Sequence, residues 1–209
     1  MAIKGDPWKA GYDHEYVMYC TNCNKKQYDK NNTSKMIACP DCGTWLVDID
    51  VNLEDIVVLL NKEYNTKNGK IRPFRTLQSC EGHWIDINTN SIPYISLIIS
   101  KHTEFPLSML EELTAADISF NIDMNQFDNE DEVKNEMGYI MAINGESHTK
   151  PRRILNISMN MDFLKVTMKD EREFPGYAEK SFNRRKKIFL DQLKEFATNI
   201  SILYESGDK

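Results

Sequence analysis

This chain has no apolar run near the roughly 20 residues that a membrane-spanning helix needs. Its longest apolar stretches are residues 56–60 and the segment 94–99. The first nine residues carry no apolar core of the kind found in a secretory signal, so a cytoplasmic protein is expected. Glycine and proline are sparse, at nine and seven residues, which excludes a low-complexity or fibrous chain. Positive charge is not in surplus: 26 Lys and Arg face 32 Asp and Glu, for a net charge of −6. That excludes a general coat for nucleic acid, whose binding is driven by cations, but leaves room for a local basic patch. The chain also lacks a phosphate-binding loop, a Gly-rich dinucleotide fingerprint, an internal repeat and any second metal motif beyond the paired cysteines described next.

Hydrophobic residues make up 41% of the 209 positions and charged residues 28%. This suits one medium domain with a small unit beside it. Four of the five cysteines are paired: Cys20 and Cys23, then fifteen intervening residues, then Cys39 and Cys42. Without a secretory signal, such spacing reads as metal binding in a reducing compartment and not as a disulfide framework. Two C-x2-C turns each supply two thiolates, and Zn2+ prefers four of them in a tetrahedron. In Cys39-Pro40-Asp41-Cys42-Gly43 the proline stiffens the turn and the glycine permits a left-handed backbone. The pairs resemble the knuckles of the zinc-ribbon and rubredoxin-like families. The expectation is one structural Zn2+ per chain on Cys20, Cys23, Cys39 and Cys42, with iron as the alternative ion. His14 is a weaker candidate ligand. Four thiolates leave no open position, so the metal is expected to hold the fold and not to catalyse.

Residues 1–50 therefore read as a zinc ribbon, with strand-like pieces at 16–19 and 45–47, and residues 51–209 as an α+β domain. Leu53, Ile56, Val57, Leu60 and Tyr64 keep helical spacing, with Asn52 as a cap and Glu54 and Asp55 in the first turn. Strands are expected from 73 or 74 to 78, over 93–100, from 118 to 124 and over 138–143. A further strand is expected from 155 onward, with a bulge near Asp162 where the alternation slips. A short helix is expected over 107–113 and an acidic loop over 128–132. A long C-terminal helix is marked by Phe182, Phe189, Leu193, Phe196 and Ile200. The fold class is α+β: the ribbon packed on a mostly antiparallel sheet of about five strands, with two main helices.

A second cluster of chemistry lies at Ser79-Cys80-Glu81-Gly82-His83, at the end of a predicted strand, where α/β proteins often place ligands. Glycine lets backbone amides approach a ligand closely, Ser79 adds a hydroxyl, and Glu81 and His83 can exchange protons. For Cys80 three readings stand: a small buried hydrophobe, a ligand contact through its backbone, or a nucleophile paired with His83. Arg75 on the strand and Trp84 after the turn complete a candidate ligand site of Arg75, Ser79, Cys80, Glu81, Gly82, His83 and Trp84. Trp8 and Trp45 could stack on bases, though Trp45 reads better as ribbon core. Basic groups at Arg72, at Lys150, Arg152 and Arg153 after His148, and at Arg184, Arg185, Lys186 and Lys187 form a phosphate surface if they converge, and solvated charges if they do not.

Residues 56–99 resemble small bacterial and phage proteins with a Ser-Cys-x-Gly-His turn, and the richness in Lys, Asn, Ile and Met resembles proteins of AT-rich bacteria and their phages. The turn is also similar to the Ser-Cys-Ser-Gly-Arg turn of the tRNA wybutosine-synthesis methyltransferase family. It departs from that pattern at Glu81 and His83. The resemblance implies a nucleotide-like ligand, a nucleotide-derived signal or nucleic acid as partner. The alternatives are a nucleic-acid-modifying transferase or hydrolase acting through residues 79–83, and a protein-interaction module built on the ribbon.

Overall fold

The structure, a computed structural model, describes residues 16–29, 38–44, 46–67, 69–84, 90–100, 103, 107–115, 120–127, 152–160 and 172–206. His14, Trp8, Trp45, His148 and Lys150 lie outside the described residues, as do the strand expected at 138–143, the acidic loop at 128–132 and the bulge near Asp162.

The fold is α+β, with antiparallel strand pairing throughout the described sheets. The ribbon strands β1 (Tyr16–Cys20), β2 (Lys25–Asp29) and β3 (Val47–Asp50) form a three-stranded sheet in the order β2-β1-β3. Strand β2 escapes a reading by hydrophobic pattern because Lys25-Lys26-Gln27 shows no apolar alternation. Among the described strands it lies at the edge, paired with β1, and lysines on an edge discourage further strand addition.

The chain continues through a 3-10 turn (Val51–Leu53) into the short helix α1 (Glu54–Leu60). The apolar spacing correctly marks the helix, but Tyr64 belongs to the next strand. Strands β4 (Tyr64–Thr66) and β5 (Gly69–Ile71) make a small hairpin. Tyr64 still reaches the core, stacking on Tyr204 at 5.3 Å between ring centroids. Asn52 does not cap α1; Leu53 occupies that position without a side-chain hydrogen bond.

The main sheet has four strands in the order β10-β11-β9-β6: β6 (Phe74–Cys80), β9 (Tyr94–Ile99), β10 (Phe120–Phe127) and β11 (Arg152–Met159). A short pair, β7 (His83–Trp84) and β8 (Asn90–Ser91), follows β6. Alternation along the strands sets the faces. Ile95, Leu97 and Ile99 on β9 and Leu155, Ile157 and Met159 on β11 enter one core. Their neighbours Ile98 and Ile154 point to the other face and are buried too.

Helices α2 (Leu107–Ala115) and α3 (Tyr177–Glu205) complete the described elements. Phe182, Phe189, Leu193, Phe196 and Ile200 of α3 are buried, as the helical spacing requires; burying each such side chain stabilises by about 1.5–3 kcal/mol. Val17, Tyr19 and Ile49 of the ribbon sheet share this same core with α1, α3 and the main sheet. No helix among the described residues is long and apolar enough to cross a membrane.

Asn61 joins α1 to the sheet. Its Nδ2 donates to Val57 O and to Thr76 Oγ1, each at 2.8 Å, and its Oδ1 accepts the Thr76 N–H at 2.9 Å. Both residues are fully buried. Asn61→Ala leaves the Thr76 amide without its acceptor, so a loss of about 2 kcal/mol is expected. The urea midpoint should fall with an unchanged slope. A loss below about 0.5 kcal/mol, the range of ordinary surface substitutions, would show that water can replace the amide.

Candidate metal centre and the adjoining turn

The four paired cysteines converge. All four Sγ atoms lie within 4.8 Å of one another. Cys20 and Cys42 sulfurs are 3.6 Å apart, and Cys23 and Cys39 sulfurs 3.8 Å. A tetrahedron with Zn–S bonds of about 2.3 Å has edges of about 3.8 Å, whereas a disulfide needs about 2.05 Å. The geometry is that of a tetrathiolate cage, compatible with a zinc ribbon.

Each cysteine pair is followed by a left-handed residue: Asn24 at φ 54° and Gly43 at φ 72°. Asparagine is among the few side chains that tolerate this region, so both turns can wrap their sulfurs alike. The Cys23 N–H points at Cys20 Sγ at 3.3 Å, and Gln27 Nε2 donates to Cys39 Sγ at 3.2 Å. Thr44 pulls the Cys42 thiol down to about 5, chiefly through its hydroxyl, which favours the thiolate that metals bind. The neighbouring Cys42 sulfur in turn raises the Cys23 thiol. Four sulfurs at this spacing could hold a metal ion between them.

The cage is tied to the rest of the chain by polar clamps. Arg72 donates from Nη1 to Thr21 O and from Nη2 to Asn22 O, both at 2.8 Å. Asn24 Nδ2 donates to Val58 O of α1 at 3.0 Å, and Tyr19 hydroxyl donates to Asn24 Oδ1. Arg72 is thus a structural clamp on the first knuckle.

Beside the ribbon lies the turn that joins β6 to β7. Ser79, Cys80, Glu81 and Gly82 are buried, and His83 and Trp84 are partly so. Gly82 adopts φ +81°, the left-handed conformation suited to glycine. A Cβ there would lie 2.4 Å from Pro93 Cγ. Trp84 packs on Phe182, with centroids 5.4 Å apart. Arg75 is half-buried opposite Ile98, near the other end of β6 from Cys80.

Three groups absent from the sequence-based site come into this turn. Asp50, at the end of β3, is fully buried and accepts the Glu81 N–H on Oδ2 at 2.7 Å. Asn52 donates from Nδ2 to Glu81 Oε2 at 2.6 Å. Lys186 donates to Gly82 O at 3.1 Å and sits 3.4 Å from Glu81 Oε1. A signal for Lys186 was present: it falls between Phe182 and Phe189 on the buried stripe of α3. Its basic neighbours Arg184 and Lys187 are exposed. Nothing local marks Asp50 or Asn52.

Asp50, Cys80 and His83 form a compact trio, with one donor atom of each within 4.8 Å of the others. His83 Nε2 lies 3.7 Å from Asp50 Oδ2. Burial alone would lower the His83 pKa, but the Asp50 carboxylate and the Cys80 sulfur outweigh it and hold it up at about 9. Ser91 Oγ accepts the His83 N–H at 2.9 Å and lies 3.5 Å from Cys80 Sγ. A separate cavity of about 230 Å³ between α2 and α3 is lined by Met109, Leu113, Gln192 and Phe196.

Comparison of the chain with family models, with curated proteins and with solved structures gives no match.

Proposed function

We propose that this chain is a zinc-containing binding protein: Zn2+ in the tetrathiolate holds the ribbon in place, and the turn beside it recognises a nucleotide-like small molecule. The tetrahedral sulfur spacing carries the zinc half of this reading. The binding half is supported by the convergence of Asp50, Glu81, His83 and Lys186 from the ribbon, the turn and α3 on one place. An ammonium, an imidazole, carboxylates and an aromatic surface at Trp84 match the parts of a nucleotide: phosphate, ribose hydroxyls and base. A small molecule is favoured over a polymer because two of the arginines are committed to backbone carbonyls. Arg72 binds the knuckle carbonyls, and Arg153 Nη2 donates to Ser100 O and Thr103 O, each at 3.0 Å. An enzymatic reading draws on the thiol, imidazole and carboxylate of Cys80, His83 and Asp50. Cys80 is fully buried, so attack on a substrate requires the turn to open, whereas binding at its rim does not.

A thermal-shift screen of nucleotides and short oligonucleotides tests this. A ligand at 100 times its Kd should stabilise by about 2.7 kcal/mol. His83→Ala should remove that shift while the ribbon zinc stays. No stabilisation by any compound in the panel, or an unchanged shift in His83→Ala, counts against the turn as the binding site.

A further inference from the structure

We propose that Asp50, Cys80 and His83 form a second metal site, separate from the tetrathiolate, for a divalent transition ion of the zinc class. The proposal concerns the turn named above, but it does not depend on the nucleotide reading.

The donors come from three places in the chain: the last residue of β3, the last of β6 and the first of β7. One donor atom from each lies within 4.8 Å of the others. A carboxylate oxygen, a thiolate sulfur and an imidazole nitrogen are all ordinary ligands of Zn2+, and the mixture disfavours Mg2+ or Ca2+, which prefer oxygen alone.

The sulfur is also placed as a ligand. The Gly82 N–H points at Cys80 Sγ at 3.4 Å, matching the 3.3 Å contact from the Cys23 N–H to Cys20 Sγ in the ribbon. The Asp50 carboxylate and the His83 backbone are also held. The Glu81 N–H fixes the Asp50 carboxylate at 2.7 Å, and Ser91 Oγ accepts the His83 backbone N–H at 2.9 Å. Such outer contacts orient ligands before the ion arrives.

Charge balance points the same way. Asp50 and Cys80 are each 0% exposed, so an ion bound there is sheltered from water, and opposite charges attract most strongly out of water. A thiolate and a carboxylate together cancel a divalent ion, with His83 as the neutral third ligand. On binding, the Cys80 thiol and the protonated His83 ring each release a proton to solvent as their bonds to the metal form. Three protein ligands leave one position of a tetrahedron for water or an anionic oxygen, which distinguishes this site from the closed ribbon cage.

The test uses the full chain, reduced, stripped of metal and titrated with Co2+ while its absorption is followed. Two equivalents should bind with distinct spectra: the intense bands of four thiolates, and a weaker set from a single thiolate. Cys80→Ala and His83→Gln should each lose the second set and keep the first. Bound Co2+ or Zn2+ should also protect Cys80 from iodoacetamide. The proposal is overturned if the wild-type chain shows no single-thiolate set, or if both variants keep it. Rapid alkylation of Cys80 that added metal does not slow would also overturn it, and would support a nucleophile instead. Absence of the four-thiolate bands would count against the ribbon reading alone, because the two spectra report separately.

Discussion

Replacing Cys39 with serine should cost the chain one equivalent of metal and lower its melting temperature by roughly 8–16 °C. The figure follows from a loss of about 4 kcal/mol, at about 2–4 °C per kcal/mol for a chain of this size. It is conservative, since structural zinc binding in small finger peptides is worth about 10–16 kcal/mol. Only part of that is at stake here, because Val17, Tyr19 and Ile49 also hold the ribbon sheet in the common core. The remaining cost has a specific origin. Cys39 is 2% exposed, its sulfur accepts from Gln27 Nε2, and its carbonyl accepts the Gly43 N–H at 2.8 Å. Losing the metal leaves three crowded thiols and frees the second knuckle. Metal analysis and calorimetry read both effects, and the same analysis decides between zinc and iron. Cys80→Ser should leave the four-sulfur site loaded. Full retention of tetrathiolate metal in Cys39→Ser would remove the ribbon from the account.

Gly82→Ala should be the most damaging single methyl in the described part of the chain, at about 3–4 kcal/mol. Two costs add. A left-handed backbone disfavours any Cβ by about 1–2 kcal/mol. The new atom would also stand 2.4 and 2.5 Å from Pro93 Cγ and Cδ and 2.9 Å from Pro93 N. Overpacking of this kind costs about 1–3 kcal/mol, and neither a proline ring nor a backbone nitrogen can rotate away. Gly43→Ala provides the control. Gly43 is also left-handed, at φ +72°, but nothing lies within 4 Å of its added Cβ. It should pay the backbone cost alone, about 1–2 kcal/mol. Equal losses in the two variants, measured by denaturant unfolding, would show that Pro93 does not confine the turn. Gly82 lies between Cys80 and His83, so a displaced turn should also weaken whatever those side chains bind.

The described elements show how far local pattern reaches. The α3 stripe, the apolar run of β9, the alternation on β11 and the C-x2-C turns each depend on neighbours a few residues away, and all were legible. Helix α1 was legible, but its end was not. Asn61 carries the last turn's hydrogen bonds across to Thr76, a contact with the sheet that no helical period announces. Asn52 read as a helix cap because its position suits one; in the folded chain its amide is taken by Glu81, twenty-nine residues on. Strand β2 was missed because an edge strand of lysines carries no apolar signature.

The tetrathiolate cage, marked by its C-x2-C spacing, is therefore the part that sequence alone determined: two short turns impose their own geometry, and four sulfurs admit few partners other than a soft or borderline ion. The turn at residues 79–83 was legible as a place of chemistry, but its composition was decided only by tertiary structure. Asp50 reaches it because the ribbon sheet packs beside β6, and Lys186 because α3 lies across the same core. Those contacts join residues 31 and 104 positions apart. No local spacing encodes such distances; they arise when burial of the shared apolar core brings the ribbon, the sheet and the last helix together.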